Sequence, residues 1–123
     1  PMPSPLETVK AALNAYVAKD RAAIEAIVAE NYTFTSPLDN AIDRATYFAR
    51  CWPNSEGISG FQFIHLVELG HIVFVTYEGT RQGGGRFRNT EVVTTRGGRI
   101  TEVEVYFGWS IPHPSPEGGF TNV

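Results

Sequence analysis

The chain has one cysteine, Cys51, so no disulfide can form within it and burial alone must hold the fold together. A lone thiol also fits a reducing cytoplasm, which is the expected location. No segment approaches the roughly 20 consecutive apolar residues that a membrane span needs. The N-terminal stretch from Pro1 to Pro5 has no basic segment leading into an apolar run, so no signal peptide is expected. A strong charge of one sign is missing too. Ten Lys and Arg stand against 13 Asp and Glu, a net charge of -3. That balance argues against nucleic acid or an anionic membrane surface as partner. The three histidines, His65, His71 and His113, lack ligand spacing with one another or with Cys51, so no metal and no cofactor is expected. The pattern has no strand–helix–strand alternation, which excludes a parallel nucleotide-binding sheet. The glycine clusters lie between strands and do not open a helix, so none reads as a phosphate loop.

The 123 residues suit one domain, 1–123, with a core at about 6–109 and an irregular, Pro- and Gly-rich C-terminal arm over 110–123. Ser4-Pro5-Leu6-Glu7 is a capping box with proline at the first helical position, and Leu6, Val9, Leu13, Tyr16 and Val17 continue as one apolar helical stripe. Asp20 can cap a second, shorter helix carrying Ile24, Ile27 and Val28. Tyr32 to Ser36 alternates as a strand that Pro37 stops. After a turn over Pro37 to Asn40, Asp43 can cap a third helix running to about Trp52, where Pro53 ends it. From Ser59 the period becomes that of strands: about Gly60 to Leu69, Ile72 to Arg81, Arg86 to Thr95 and Arg99 to Ser110. Gly70-His71, Gly83 to Gly85 and Gly97-Gly98 break them as hairpins. The predicted class is α+β, a curved antiparallel sheet packed on N-terminal helices.

The last hairpin decides which polar groups lie inside. A two-residue Gly97-Gly98 turn would set Glu91 against Glu104 and Val93 against Glu102, and like charges directly opposite repel. A three-residue loop, Arg96-Gly97-Gly98, with Gly98 at the left-handed bulge position, pairs Glu91 with Val103, Asn89 with Val105 and Phe87 with Phe107. That register leaves Arg88 diagonal to Glu104 on the other face. It also leaves Glu91 on the apolar face, among Val93, Val103, Val105 and Phe107. Burial there would disfavour the charged carboxylate and make Glu91 a proton donor or acceptor near neutral pH.

Three segments carry a wider resemblance: Ala18-Lys19-Asp20-Arg21-Ala22-Ala23-Ile24, Tyr32 to Pro37, and Gly98 to Trp109. With the order of elements, they make the chain resemble the nuclear transport factor 2-like superfamily, and within it the SnoaL-like and ketosteroid-isomerase-like proteins, over roughly Leu6 to Trp109. The resemblance implies a cone-shaped half-barrel, a pocket between sheet and helices, and a homodimer through the outer sheet face. It also allows a comparison of site positions. The isomerase's general base, an aspartate before the strand proline, falls at Ser36, and its oxyanion-holding tyrosine falls at Ala12. Its protonated aspartate falls at Glu91. A serine without an activating partner is too weak a base, so the usual isomerase mechanism is not expected.

The expected function is therefore a pocket for a small, largely apolar, oxygen-bearing molecule, with acid–base chemistry such as isomerisation, dehydration, cyclisation or hydrolysis. Glu91 would be the acid or base. His65, alternating with Phe61, Phe63 and Val67, would share its cavity and form an acid–base couple with it. Tyr16, Ser36, Tyr47, Trp52, Asn89, Val93, Val103, Val105 and Phe107 are the expected ligand-binding residues. Asp39 and Asp43 lie near the mouth, where the plainer expectation is a turn residue and a helix cap. The alternative is a non-catalytic ligand-binding or dimerisation module of the same fold.

Overall fold

A computed structural model of the chain describes residues 1–115. Helix α1 spans Pro5–Ala18, and its capping box forms: Glu7 N–H donates to Ser4 Oγ at 3.1 Å while Ser4 N–H donates to Glu7 Oε1 at 2.9 Å. It ends where Lys19 turns left-handed, at φ 58°. Asp20 caps α2, Arg21–Ile27, by accepting from Ala23 N–H. Strand β1 then covers Val28–Ser36, and Val28, expected on the helical stripe, opens the strand instead.

The segment Asp39–Asp43 is a strand, β2, paired antiparallel with β1. Its short sequence, with Ala41 and Ile42 adjacent, shows no alternation, so it reads as the end of a turn; Thr35 stabilises its irregular path by accepting from Ala41 N–H at 2.9 Å. Asp43 caps α3, Arg44–Arg50, which is shorter than expected. Trp52–Gly57 follows as a 3-10 helix, because Pro53 is tolerated in a first turn but not in a continuing α-helix. Four strands complete the fold: β3 (Ile58–Leu69), β4 (Ile72–Arg81), β5 (Arg86–Arg96) and β6 (Arg99–Ile111). The expected C-terminal arm thus starts later, since Ser110 and Ile111 belong to β6. The part of it beyond residue 115 lies outside the described residues.

The six strands form one curved sheet in the order β2-β1-β6-β5-β4-β3. The last four make the expected antiparallel meander, and β1 closes on β6 in parallel, so the sheet is mixed. The helices cover its concave face, where Val9, Leu13, Ile24, Tyr32, Val73, Val75 and Val93 are buried together. Each large apolar side chain so buried stabilises the fold by about 1.5–3 kcal/mol.

The final hairpin corrects the predicted register. Arg96 pairs with Arg99 across a two-residue Gly97-Gly98 turn, both glycines left-handed at φ 59° and 76°. Thr94 then pairs with Glu102 but Thr95 with Ile100, so Thr101 is an extra, bulged residue. The bulge removes the carboxylate clash that argued against the tight turn: Glu91 faces Val105, Val93 faces Val103 and Asn89 faces Phe107. Glu91 keeps its place on the concave face, one pair further along than expected. Arg88 pairs with Glu78 of β4 rather than with Glu104.

Candidate functional site

The sheet's curvature leaves space between its concave face and the helices, a cavity of about 700 Å³. That size is typical of a small-molecule site. Two cross-strand rows run over the concave face, Leu66, Val75, Glu91 and Val105, then Phe63, Tyr77, Asn89 and Phe107, and from them Glu91, Val105, Tyr77, Asn89 and Phe107 line the cavity. Val9, Ala12, Leu13 and Tyr16 of α1 close one side, and Tyr32, Phe34 and Ser36 of β1 another. The lining is mostly apolar and aromatic. Phe61 stacks near Tyr16, with ring centres 5.9 Å apart, and lies 4.6 Å from the Tyr77 ring.

Glu91 is the carboxyl buried on the sheet side of this wall. The Tyr77 hydroxyl donates to its Oε2 at 2.6 Å, and among the described residues no lysine, arginine or histidine pairs with it. Burial pushes its pKa above the ordinary 4.5, and the Tyr77 hydrogen bond offsets part of that rise. Its other oxygen, Oε1, has no hydrogen-bond partner among the described residues. Tyr16, Tyr32, Tyr47 and Tyr77 are themselves pushed up, by burial first and with the Glu91 charge contributing in each case. Their phenols therefore stay neutral, and of the four hydroxyls it is that of Tyr77 that donates to the carboxyl.

A second carboxyl lies on the wall. Asp39, its side chain only 8% exposed, accepts from Ser36 Oγ at 2.8 Å and pairs with Arg50 at 2.9 Å. Leu38 N–H in turn donates to Ser36 Oγ at 3.0 Å. Ser36 thus lines the cavity with its proton already committed to Asp39. Cys51 lies on the same part of the wall. Burial pushes its thiol up to about 11, and the Asp39 charge adds to the rise.

Of the residues expected from the sequence, Glu91, Tyr16, Ser36, Tyr47, Asn89, Val93, Val103, Val105 and Phe107 all line this cavity. His65 does not. Phe63 pairs with Tyr77 and His65 with Thr76, so Ile64 is a bulged extra residue in β3. One inserted residue reverses the alternation beyond it. His65 and Val67 therefore lie on the convex face, exposed, and Leu66 takes the inward place opposite Val75. Trp52 is likewise displaced from its expected role: it is buried behind the wall, edge-on to Tyr16 at 5.7 Å, and so supports a lining residue. Tyr77 and Tyr32 are lining residues that the sequence reading missed, while Phe61 and Asp39, expected near the cavity, do line it. Tyr77 shares its parity with Val73 and Val75 and was legible there. Asp39 was expected as a turn residue at the mouth, and the strand that carries it, β2, was not legible.

Helices on the concave face of a bent mixed sheet, with a cavity between them, define the nuclear transport factor 2-like class. The chain belongs to the SnoaL-like domain family, whose model matches residues 9–103. Solved structures share its architecture at low identity. A protein from Kribbella flavida DSM 17836 is 23% identical, with TM-score 0.75 over 84% of this chain and 85% of its own. A ketosteroid isomerase-like protein from the same organism is 12% identical, with TM-score 0.74 over 97% and 88%. An LEH-like epoxide hydrolase of M. tuberculosis is 18% identical, with TM-score 0.70 over 85% and 82%. Among curated proteins nothing matches.

Proposed function

We propose that the cavity binds a small, largely apolar, oxygen-bearing molecule and that Glu91 exchanges a proton with it. One observation supports this above the others: a carboxyl on an aromatic wall, held by a tyrosine hydroxyl and by no cation. An acid in such surroundings retains its proton to higher pH than in water, and an ordinary structural carboxylate would have a cationic partner. Protonated, Glu91 donates to a carbonyl, epoxide or hydroxyl oxygen; ionised, it takes a proton from an adjacent carbon or from water. Tyr77 holds Oε2 in either state, so the proton moves at Oε1. Asn89, one cross-strand row away, lines the same cavity and accepts from Gly108 N–H at 3.3 Å through Oδ1. Isomerisation, dehydration, cyclisation and hydrolysis all begin with such a transfer. An isomerase-like and a hydrolase-like protein among the structural neighbours are consistent with that range.

The test is exchange of the α-protons of an apolar ketone, 2-tetralone, in D2O, followed by NMR with wild type and Glu91→Gln. Acceleration by wild type and none by the variant supports proton transfer at Glu91. Binding of the ketone with exchange no faster than in buffer for both proteins would favour a non-catalytic ligand-binding module.

The same reading places a second copy of the chain on the convex face, where Val67, Phe74 and Tyr106 are exposed. Light scattering should then give twice the 13.6 kDa chain mass, and Phe74→Glu should give the monomer.

A further inference from the structure

Among the described residues, the carboxyl and guanidinium groups that line the cavity are those of Asp39, Glu91 and Arg81. The two acids are accommodated by the protein itself. Arg50 meets the charge of Asp39, and Glu91 is held by Tyr77 in surroundings that favour its neutral form. Arg81 has no such partner. Among the described residues no acid pairs with it, and Glu78, the acid of its own strand, is engaged by Arg86 and Arg88.

The position of Arg81 is built by the residues around it. Its guanidinium carbon lies 4.5 Å from the centre of the Phe87 ring, a cation–π contact that orients the planar fork. Phe87 in turn occupies the space above Gly79. A Cβ at residue 79 would come within 2.3 Å of the ring, so only glycine admits it. Arg81, Phe87, Asn89 and Phe107 line both the main cavity and a smaller one of about 220 Å³ that continues to Gly108, Trp109 and Ser110. Arg81 is exposed and stands at that junction, where the apolar interior opens to solvent.

We propose that Arg81 anchors an anionic group at the cavity mouth, so the ligand is an apolar molecule bearing one acidic group. The apolar body fills the interior against Tyr16, Phe61 and Val105, and the acid meets the guanidinium. A carboxylate fits the arginine fork through two parallel hydrogen bonds, and a sulfonate or phosphate presents the same oxygens. Binding one negative charge there compensates the guanidinium, which no acid among the described residues meets. A neutral ligand of the same shape leaves it in place. This inference rests on reading the cavity as a ligand site.

Two fluorescent probes separate the inference from that reading: 8-anilinonaphthalene-1-sulfonate and N-phenyl-1-naphthylamine, the same aromatic amine with and without the sulfonate. Both are titrated into wild type, Arg81→Gln and Arg86→Gln. Arg86→Gln removes the same charge from the same hairpin but from a residue already paired with Glu78. The expected result is a loss of roughly three- to tenfold in affinity for the sulfonated probe in Arg81→Gln alone, the range for a partly exposed charged hydrogen bond. The neutral probe should bind all three proteins alike. Equal losses for both probes, an equal loss in Arg86→Gln, or no loss at all would overturn the anchor and leave the ligand site standing. If neither probe binds wild type, the ligand-site reading falls and the anchor with it.

Discussion

Tyr77 and Glu91 lie diagonally across β4 and β5, because Tyr77 pairs with Asn89 and Glu91 with Val75, and the Tyr77 hydroxyl reaches Glu91 Oε2 at 2.6 Å. The two side chains stand on the concave face with their polar ends joined and their stems in apolar packing. The tyrosine supplies the donor that a buried carboxyl needs without fixing its charge as an arginine would. The proposed acid–base role requires such a carboxyl, one whose charge no cation fixes.

Tyr77→Phe keeps the ring packed on Phe61 and removes only the donor. Glu91 should then titrate at a still higher pH, because the lost hydrogen bond is the interaction that lowers its pKa. The variant should also lose about 1–3 kcal/mol of stability, the cost of a buried acceptor left unsatisfied. Carbon-13 NMR of the glutamate carboxyls measures the first and chemical denaturation the second. An unchanged Glu91 titration would show that the hydroxyl does not hold the carboxyl in solution.

Stability should depend on pH through the same residue. The native-state pKa of Glu91 lies above its ordinary 4.5, so above that value the native state binds more protons than the unfolded chain. Stability therefore falls as pH rises from about 4.5 to the native pKa, then levels. Glu91→Gln, which cannot ionise, should gain on wild type across that window and show no relative gain below it. Denaturation midpoints measured from pH 4 to 9 decide this; a difference independent of pH would mean that Glu91 is solvated.

Cys51 should be slow to alkylate. Its thiol is pushed from 9.0 to about 11, by burial first and then by the Asp39 charge, with Arg50 partly opposing. Two units lower the thiolate fraction near neutral pH about a hundredfold. Iodoacetamide should therefore modify the native protein far more slowly than the denatured chain, and Asp39→Asn should speed the native reaction. Equal rates for native and denatured protein would contradict the burial of this part of the wall.

His65→Ala should leave the binding of N-phenyl-1-naphthylamine unchanged and shift stability by no more than about 0.5 kcal/mol, as for other exposed positions. Leu66→Ala, its inward neighbour, should destabilise by about 2–5 kcal/mol. Thermal denaturation of the two variants checks the pair. The reverse order of effects would place the bulge elsewhere in β3.

Much of the fold was legible because local chemistry dictates it. Ser4 with Glu7, Asp20 and Asp43 cap helices where their side chains meet free N–H groups. Glycines mark the three hairpins, and alternation from Arg86 to Arg96 is enough to set Glu91 among valines. Two-residue periodicity carries that information only while pairing is regular. The extra residues at Ile64 and Thr101 are set by the bending of a long sheet over α1, and neighbouring residues do not announce them. One of them turned His65 outward; the other let a tight turn avoid setting Glu91 against Glu104. Strand β2, with Ile42 as its one large apolar residue, exists because β1 offers it an edge, and through it Asp39 reaches the wall. The sequence by itself determined which residues are apolar, where helices start and that one acid falls on an apolar face. Only the tertiary structure decided what that acid touches, because the cavity, Tyr77 beside Glu91 and Arg81 at the mouth depend on strands brought together from distant parts of the chain.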